Sequence, residues 1–193
     1  MITDSLLPPP PSVDADACLR AALQLGVPGD YGKMRSLKRV REPARLRFIG
    51  DDIHTRPQWL APRAAGAWSR LRAAADHDGV QLQVVSAFRS IEYQLGILRR
   101  KLDRGQTIEQ ILAVSAAPGY SEHHSGRALD LTTPGFAPLE EEFERSAAFA
   151  WLCTNAQRYN FHLSFPRGNA HGIAFEPWHW CWRASRPRST APD

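Results

Sequence analysis

Ser121-Glu122-His123-His124-Ser125-Gly126-Arg127-Ala128-Leu129-Asp130 and, further along, Glu176-Pro177-Trp178-His179 are the stretches on which the reading of this chain turns. Together they offer His123, Asp130 and His179 as three ligands for one metal ion, with Glu176 as a carboxylate beside the last. Imidazole and carboxylate donors suit zinc, and a catalytic zinc takes three protein ligands and keeps a fourth position open. A hydrolytic centre also needs a base for the attacking water, and Glu176 is placed to be one. The set points to a metallohydrolase.

The spacing constrains how these residues meet. His123 and Asp130 are seven residues apart, and on a flat strand an odd separation sends two side chains to opposite faces. A bend at Gly126 would bring them together. Pro118-Gly119 upstream, Gly126 within and Thr132-Thr133-Pro134 after argue against a helix. The expectation is strand entry over 123–126 and a short strand over 127–132. Pro177 has no N–H to give, so the strand holding His179 begins irregularly or lies at an edge.

Outward from these segments the chain alternates helix and strand signals. Ala15–Leu25 has helical spacing and ends near Gly26. Residues 26–60 read as irregular, with a short element around Leu46–Phe48. Ala64, Ala65, Trp68, Leu71 and Ala75 recur at helical spacing within Pro62–His77, which Asp78-Gly79 closes. Gln81–Phe88 alternates as a strand does. Ile91–Leu102 is a second long helix, and Thr107-Ile108-Glu109-Gln110 a capping box opening a short third. Glu140–Tyr159 is expected to be the longest helix, with an acidic first turn that suits the helix dipole. Phe161–Phe165, His171–Phe175 and Trp178–Trp182 read as short strands. The fold class is α+β, a small antiparallel or mixed sheet flanked by helices. The expected organisation is a Pro-rich flexible N-terminus over 1–14, one domain over 15–185 and a basic tail over 186–193.

A chain of 193 residues with 43% hydrophobic and 23% charged residues can bury a core without staples. Cys18, Cys153 and Cys181 form no CxxC pair, so free thiols and a reducing compartment are expected, with Cys153 in the core of its helix. Residues 1–25 carry no basic start, no apolar run of signal length and no small-residue cleavage site, which gives a cytoplasmic expectation. No stretch is long and apolar enough to span a membrane. Net charge is +4, with basic clusters at Lys33–Arg47 and Arg183–Arg188. No nucleic-acid motif accompanies them, so they read as a solvated face, and no nucleic-acid or obligate protein partner is expected.

The pattern Ser-x-His-x-x-Gly-x-Ala-x-Asp over 121–130, followed by Glu-Pro-Trp-His over 176–179, resembles the VanY-type D-alanyl-D-alanine carboxypeptidases, peptidase family M15, subfamily B. Ser86-Ala87-Phe88-Arg89-Ser90 with Gln94 resembles the family's Ser-x-Tyr/Phe-Arg-Ser…Gln segment, and the likeness runs from about 60 to 182. It departs at Asn160, where the family commonly has Gly, and at Cys181, where a basic residue is common. Asn is the next best residue for a left-handed helix terminus, so that turn can survive.

The resemblance implies a zinc peptidase fold shared with the hedgehog signalling domains, and one catalytic Zn2+ on His123, Asp130 and His179. Glu176 is then the general base. Arg89 serves the oxyanion or the substrate's carboxylate, and Gln94 and Ser121 help hold the terminal carboxylate. The implied partner is a peptidoglycan stem peptide or its precursor, from which the terminal D-Ala is removed. An L,D-carboxypeptidase, a lysin-type endopeptidase and a non-catalytic zinc module stay open as alternatives, and Glu176 speaks against the last. His124 is expected to be exposed or hydrogen-bonded behind the ligands, and His54, His77, His162 and His171 to be surface or hydrogen-bonded residues; His162, which alternates away from Phe161 and Leu163, is also a candidate for the cleft. Trp178 is a candidate for the cleft wall.

Overall fold

A computed structural model describes residue 9 and residues 11–184. The expected basic tail at 186–193 and most of the Pro-rich segment lie outside the described residues. The elements, in order, are α1 (Ala15–Gln24), α2 (Tyr31–Met34), β1 (Arg47–Asp51), β2 (Pro57–Leu60), α3 (Pro62–His77), β3 (Gln83–Ser86), α4 (Ile91–Asp103), α5 (Ile108–Ala113), β4 (Ala128–Thr132), α6 (Ala147–Asn155), β5 (Phe161–Leu163) and β6 (His179–Trp182). The architecture is α+β, and no helix among the described residues is long and apolar enough to cross a membrane.

The central sheet runs β3-β4-β6-β5, antiparallel throughout. Its middle strand β4, Ala-Leu-Asp-Leu-Thr, is buried along its whole length. Side chains alternate across a strand, so Leu129 and Leu131 share one face and Ala128 and Asp130 the other. The register of β4 against β6 pairs Asp130 with His179 and Leu129 with Trp180. One face of the sheet is therefore apolar and the other carries the two ligands.

The apolar face packs on α3 and α6, with Leu129, Leu131 and Trp180 meeting Trp68, Leu71 and Leu152. Pro62 opens α3 at a position where its missing N–H costs nothing. Leu71→Ala would empty a fully buried site here at a cost of about 2–5 kcal/mol. A second apolar cluster joins α1, α2, α4 and α5 through Ala22, Tyr31, Leu95, Leu98 and Ile111. It holds α4 in place, one face inward and the other free to line a cavity.

Four local expectations change. The 140–159 segment is not one helix: a 3-10 turn (Glu141–Arg145) gives way to α6 and then to a second 3-10 turn (Ala156–Tyr159). Ser146 causes the break, because its hydroxyl accepts from Phe149 N–H and so starts a new helix there. The longest helix is α3. Residues 26–60 hold the β1–β2 hairpin as well as α2, and His171–Phe175 forms turn and irregular structure, not a strand. Cys153 is exposed, although all three cysteines are free thiols as expected. The capping box at Thr107–Gln110 is present, and Asn160 takes the left-handed conformation at φ 63°.

Candidate metal centre

His123 does not sit on a strand. Residues Glu122–Ser125 form a 3-10 turn capped by the Ser121 hydroxyl, which accepts from His123 N–H at 3.4 Å, and Gly126 ends it at φ 63°. The strand starts only at Ala128, so alternation never governs the His123–Asp130 pair. Gly126 is needed for its space as well as its φ. A Cβ there would come within 2.9 Å of Ala61 N, whose N–H donates to the Gly126 carbonyl. The same logic covers the second motif, where His179 N–H donates to the Glu176 carbonyl in a turn and the strand begins at His179.

The result is a compact donor set. His123, Asp130 and His179 are all buried and offer ligand atoms within 4.8 Å of one another. His123 Nε2 lies 3.2 Å from Asp130 Oδ1, and His179 Nδ1 lies 3.1 Å from the same oxygen. The outer nitrogens are spoken for. His123 Nδ1 meets the Ala87 carbonyl at 2.5 Å, so it carries the hydrogen and leaves the Nε2 lone pair facing inward. His179 Nε2 donates to Glu122 Oε2 at 3.0 Å, which likewise leaves Nδ1 inward. With the His179 ring neutral, two imidazole lone pairs and a carboxylate converge, an arrangement that a cation completes; without one, a proton on His179 Nδ1 bridges to Asp130. Two nitrogens and an oxygen fit one zinc ion.

The charges agree. Burial, helped by the Arg89 cation, pushes His123 down to about 4, so its ring is neutral, as a ligand must be. Asp130 lies well below the usual carboxylate range: burial opposes this, but His123, His179 and Arg89 outweigh it. Burial also works against the Glu122 anion, yet its bond from His179 holds it down at about 2. Among the protein groups alone, His179 is pushed up to about 10, because the hydrogen bonds to Asp130 and Glu122 overcome its burial. A proton and a metal ion compete for that ring.

Glu176 stands beside the set without belonging to it. Its Oε2 is 3.8 Å from His179 Nδ1, and no other described group bonds its carboxylate. Burial lifts Glu176 to about 7. Arg89, at the end of the segment after β3, brings Nη2 to 3.6 Å from Asp130 Oδ2, and its Nε is buried without a partner. Ser121, Gln94 and Trp178 line the same cavity of about 400 Å³. Gln94 is buried on α4, and its amide nitrogen donates to Ser115 Oγ and the Ala116 carbonyl. That carbonyl can only accept, so the amide orientation is fixed and Oε1 is left buried without a partner.

His124 is fully buried behind the centre. Its Nε2 accepts from Gly119 N–H at 3.1 Å and its Nδ1 donates to the Arg89 carbonyl at 2.7 Å. It therefore positions the Arg89 backbone. His162 lies on β5 and His171 bonds the Arg35 carbonyl, and neither lines the cavity. Glu122, Ala87 and Lys101 have no role in the sequence reading. Gln58 adds a further support: its Oε1 accepts from Ala87 N–H, the residue whose carbonyl orients His123, and its Nε2 donates to the buried Asp52. Only the tertiary fold brings these groups together.

A buried His–Asp–His cluster with an unbonded carboxylate at its edge, set on an antiparallel sheet beside a cavity that Arg89 lines, is the donor set of a candidate metal centre. The chain belongs to the VanY family, described as D-alanyl-D-alanine carboxypeptidase, whose model matches residues 57–185. It is 33% identical over 117 residues to a D-alanyl-D-alanine carboxypeptidase of Enterococcus faecalis, covering 55% of this chain and 42% of that protein. The chain spans less than half the length of the first curated relatives that it matches. Among solved structures it resembles the LdcB LD-carboxypeptidase (30% identity, TM-score 0.64, covering 73% of this chain and 69% of the other). It also resembles a glutamate-to-alanine variant of the D,D-pentapeptidase VanY from a VanB-type resistance cassette, in complex with Zn(II) (26% identity, TM-score 0.57, covering 76% and 85%).

Proposed function

We propose that this protein is a zinc-dependent carboxypeptidase that removes the terminal D-Ala from peptidoglycan stem peptides or their precursors, with D-Ala-D-Ala ends preferred. The observation that carries the reading is the buried His123–Asp130–His179 donor set with the unbonded Glu176 carboxylate 3.8 Å from His179. His123, Asp130 and His179 would hold the metal, which supplies Lewis-acid polarisation of a carbonyl and a lowered pKa for water.

The chain's own groups do the rest. Glu176 has an oxygen free to take the proton of the attacking water and to return it to the leaving amine. Its position at the ligand's edge, bonded to nothing else, suits a base better than a fourth ligand. The Arg89 guanidinium, close to Asp130, stabilises the oxyanion that forms at the scissile carbonyl. His124 and Gln58 fix the backbone at Arg89 and Ala87. Water is the nucleophile, so Ser121 is not an acylated residue; its hydroxyl oxygen caps the turn that carries His123.

Preference for a D,D bond is supported by the family's description and by the Enterococcus relative. The likeness to LdcB supports a second reading, cleavage of the L,D bond of a tetrapeptide. Mass spectrometry of the products from a pentapeptide ending in D-Ala-D-Ala and from the matching tetrapeptide separates the two. The proposal expects loss of one alanine from the pentapeptide at the higher kcat/KM. Faster attack on the tetrapeptide selects the L,D reading, and cleavage inside either peptide overturns both.

A further inference from the structure

We propose that a second, basic cavity behind Glu122 is an anion site that takes a phosphate group, with Arg41 and Arg127 as its principal donors. The site lies outside the cavity of the metal centre and does not depend on the carboxypeptidase reading.

The two basic clusters of the sequence meet in space. Arg39 and Arg41 from the first, Arg183 from the second, and Arg127 from the link into β4 line one cavity of about 370 Å³. It opens on the face of the sheet that carries His179, since Cys181, two residues further along β6, also lines it. Glu122 lines this cavity and the metal-side cavity alike. The backbone behind the arginines is tied to the fold. Val40 N–H donates to the Gly119 carbonyl at 2.8 Å, Trp182 N–H to the Arg127 carbonyl at 2.9 Å, and Arg183 N–H to the Asn160 carbonyl at 2.9 Å. Three separate segments therefore bring four guanidinium groups to one place.

The charges there do not balance. The side chains of Arg41 and Arg127 have no ion pair and no hydrogen bond among the described residues. Arg39 reaches only Asp16, at 3.9 Å with both side chains exposed, and Arg183 only Glu122, at 3.8 Å. Glu122 is the one acid among the described lining residues, and its other oxygen already accepts from His179. A lone exposed arginine without a partner is ordinary. Four around one concavity repel one another, and a cleft lined by one sign of charge focuses the field on an anion.

The donors favour phosphate among anions. Guanidinium forks make paired, charge-assisted bonds to carboxylate or phosphate oxygens. A carboxylate brings one charge and two oxygens in one plane. A phosphate ester brings up to two charges and three free oxygens directed apart, which suits forks that arrive from separate segments. Ser125 adds no donor, because its hydroxyl donates to the Glu122 carbonyl. Glu122 repels an anion from its own end, where Arg183 is engaged, and this leaves Arg41 and Arg127.

The test titrates zinc-loaded protein at low salt with inorganic phosphate, glycerol phosphate and, as a carboxylate control, succinate. Binding is read from the rise in melting temperature and, for the two phosphates, from phosphorus NMR. One phosphate per chain is expected, with succinate weaker by roughly tenfold. Arg41→Gln combined with Arg127→Gln should weaken phosphate by roughly tenfold to a hundredfold and abolish the rise in melting temperature. Arg63→Gln combined with Arg70→Gln, exposed on α3, removes the same charge elsewhere and should leave binding unchanged. Arg183 stays in place because it also meets Glu122. Zinc content and melting temperature without ligand show that each variant is loaded and folded. Tighter binding of glycerol phosphate than of inorganic phosphate identifies an ester as the ligand, and the reverse order identifies the free anion. The proposal is overturned if neither phosphate binds, if succinate binds as well, or if both double variants weaken binding alike. It is also overturned if the Arg41, Arg127 variant binds phosphate as the parent does, which would place the anion at the metal.

Discussion

Glu122 Oε2 accepts from His179 Nε2 at 3.0 Å, across 57 residues of chain, while the opposite nitrogen of that ring faces Asp130. The bond fixes both the tautomer and the orientation of a metal ligand. Outer carboxylates of this kind typically carry tenfold to a hundredfold of metal affinity. Glu122→Ala is expected to weaken zinc by roughly that factor in competition with a chromogenic chelator, and Glu122→Gln, which keeps an acceptor, by less. Unchanged affinity in Glu122→Ala would show that His179 is oriented by other contacts.

Adjacent histidines make the register testable. His123→Ala removes a ligand and should abolish stoichiometric zinc. His124→Ala should keep the zinc and lose stability, because it strands the buried Gly119 N–H and Arg89 carbonyl. The cost is about 2–4 kcal/mol, read by denaturant unfolding of the loaded protein. The reverse pattern in metal analysis would place the ligand at 124.

Glu176 also sets a pH dependence in metal-free protein. Its carboxyl is lifted by burial from an ordinary 4.5 to about 7. The folded state then holds a proton that the unfolded state has released, so stability falls as pH rises from about 4.5 to about 7. The gap corresponds to about 3 kcal/mol. With chelator present, Glu176→Gln should match the unmutated protein at pH 4.5 and exceed it by about this amount at pH 8. Parallel stability curves for the two proteins would show that the carboxylate is solvated.

Gly126 links the two halves of the first motif. Its φ of 63° disfavours any side chain, and a Cβ would press on Ala61 N, Leu46 and Pro43. Gly126→Ala is expected to cost about 1–3 kcal/mol of stability and to lower zinc affinity as His123 shifts against Asp130. A variant with normal melting temperature and normal affinity would contradict that account of the turn.

What could be read from the chain, and what could not, follows from the range of the interactions. His123, Asp130, His179 and Glu176 were legible because local motifs carry them, and Asn160 because a left-handed turn has few solutions. The α+β class was legible from the periodicity of α3 and α4. The parity problem at His123 dissolved only when the 3-10 turn placed it off the strand. The break at Ser146 was hidden because the apolar pattern continues through it, while a serine hydroxyl decides the boundary. Glu122 and Gln58 were invisible for a different reason. Each acts on groups far away in sequence, and a lone Glu or Gln on a turn or strand reads as solvent-facing.

The central claim is that His123, Asp130 and His179 hold the metal and that Glu176 moves the proton without being a ligand. It is tested most directly by measuring zinc content and turnover on the same preparation of Glu176→Gln. The account predicts one zinc per chain, unchanged, and a fall in kcat on the order of a hundredfold or more with a peptide ending in D-Ala-D-Ala. Loss of the zinc, or turnover close to that of the unmutated protein, would contradict it.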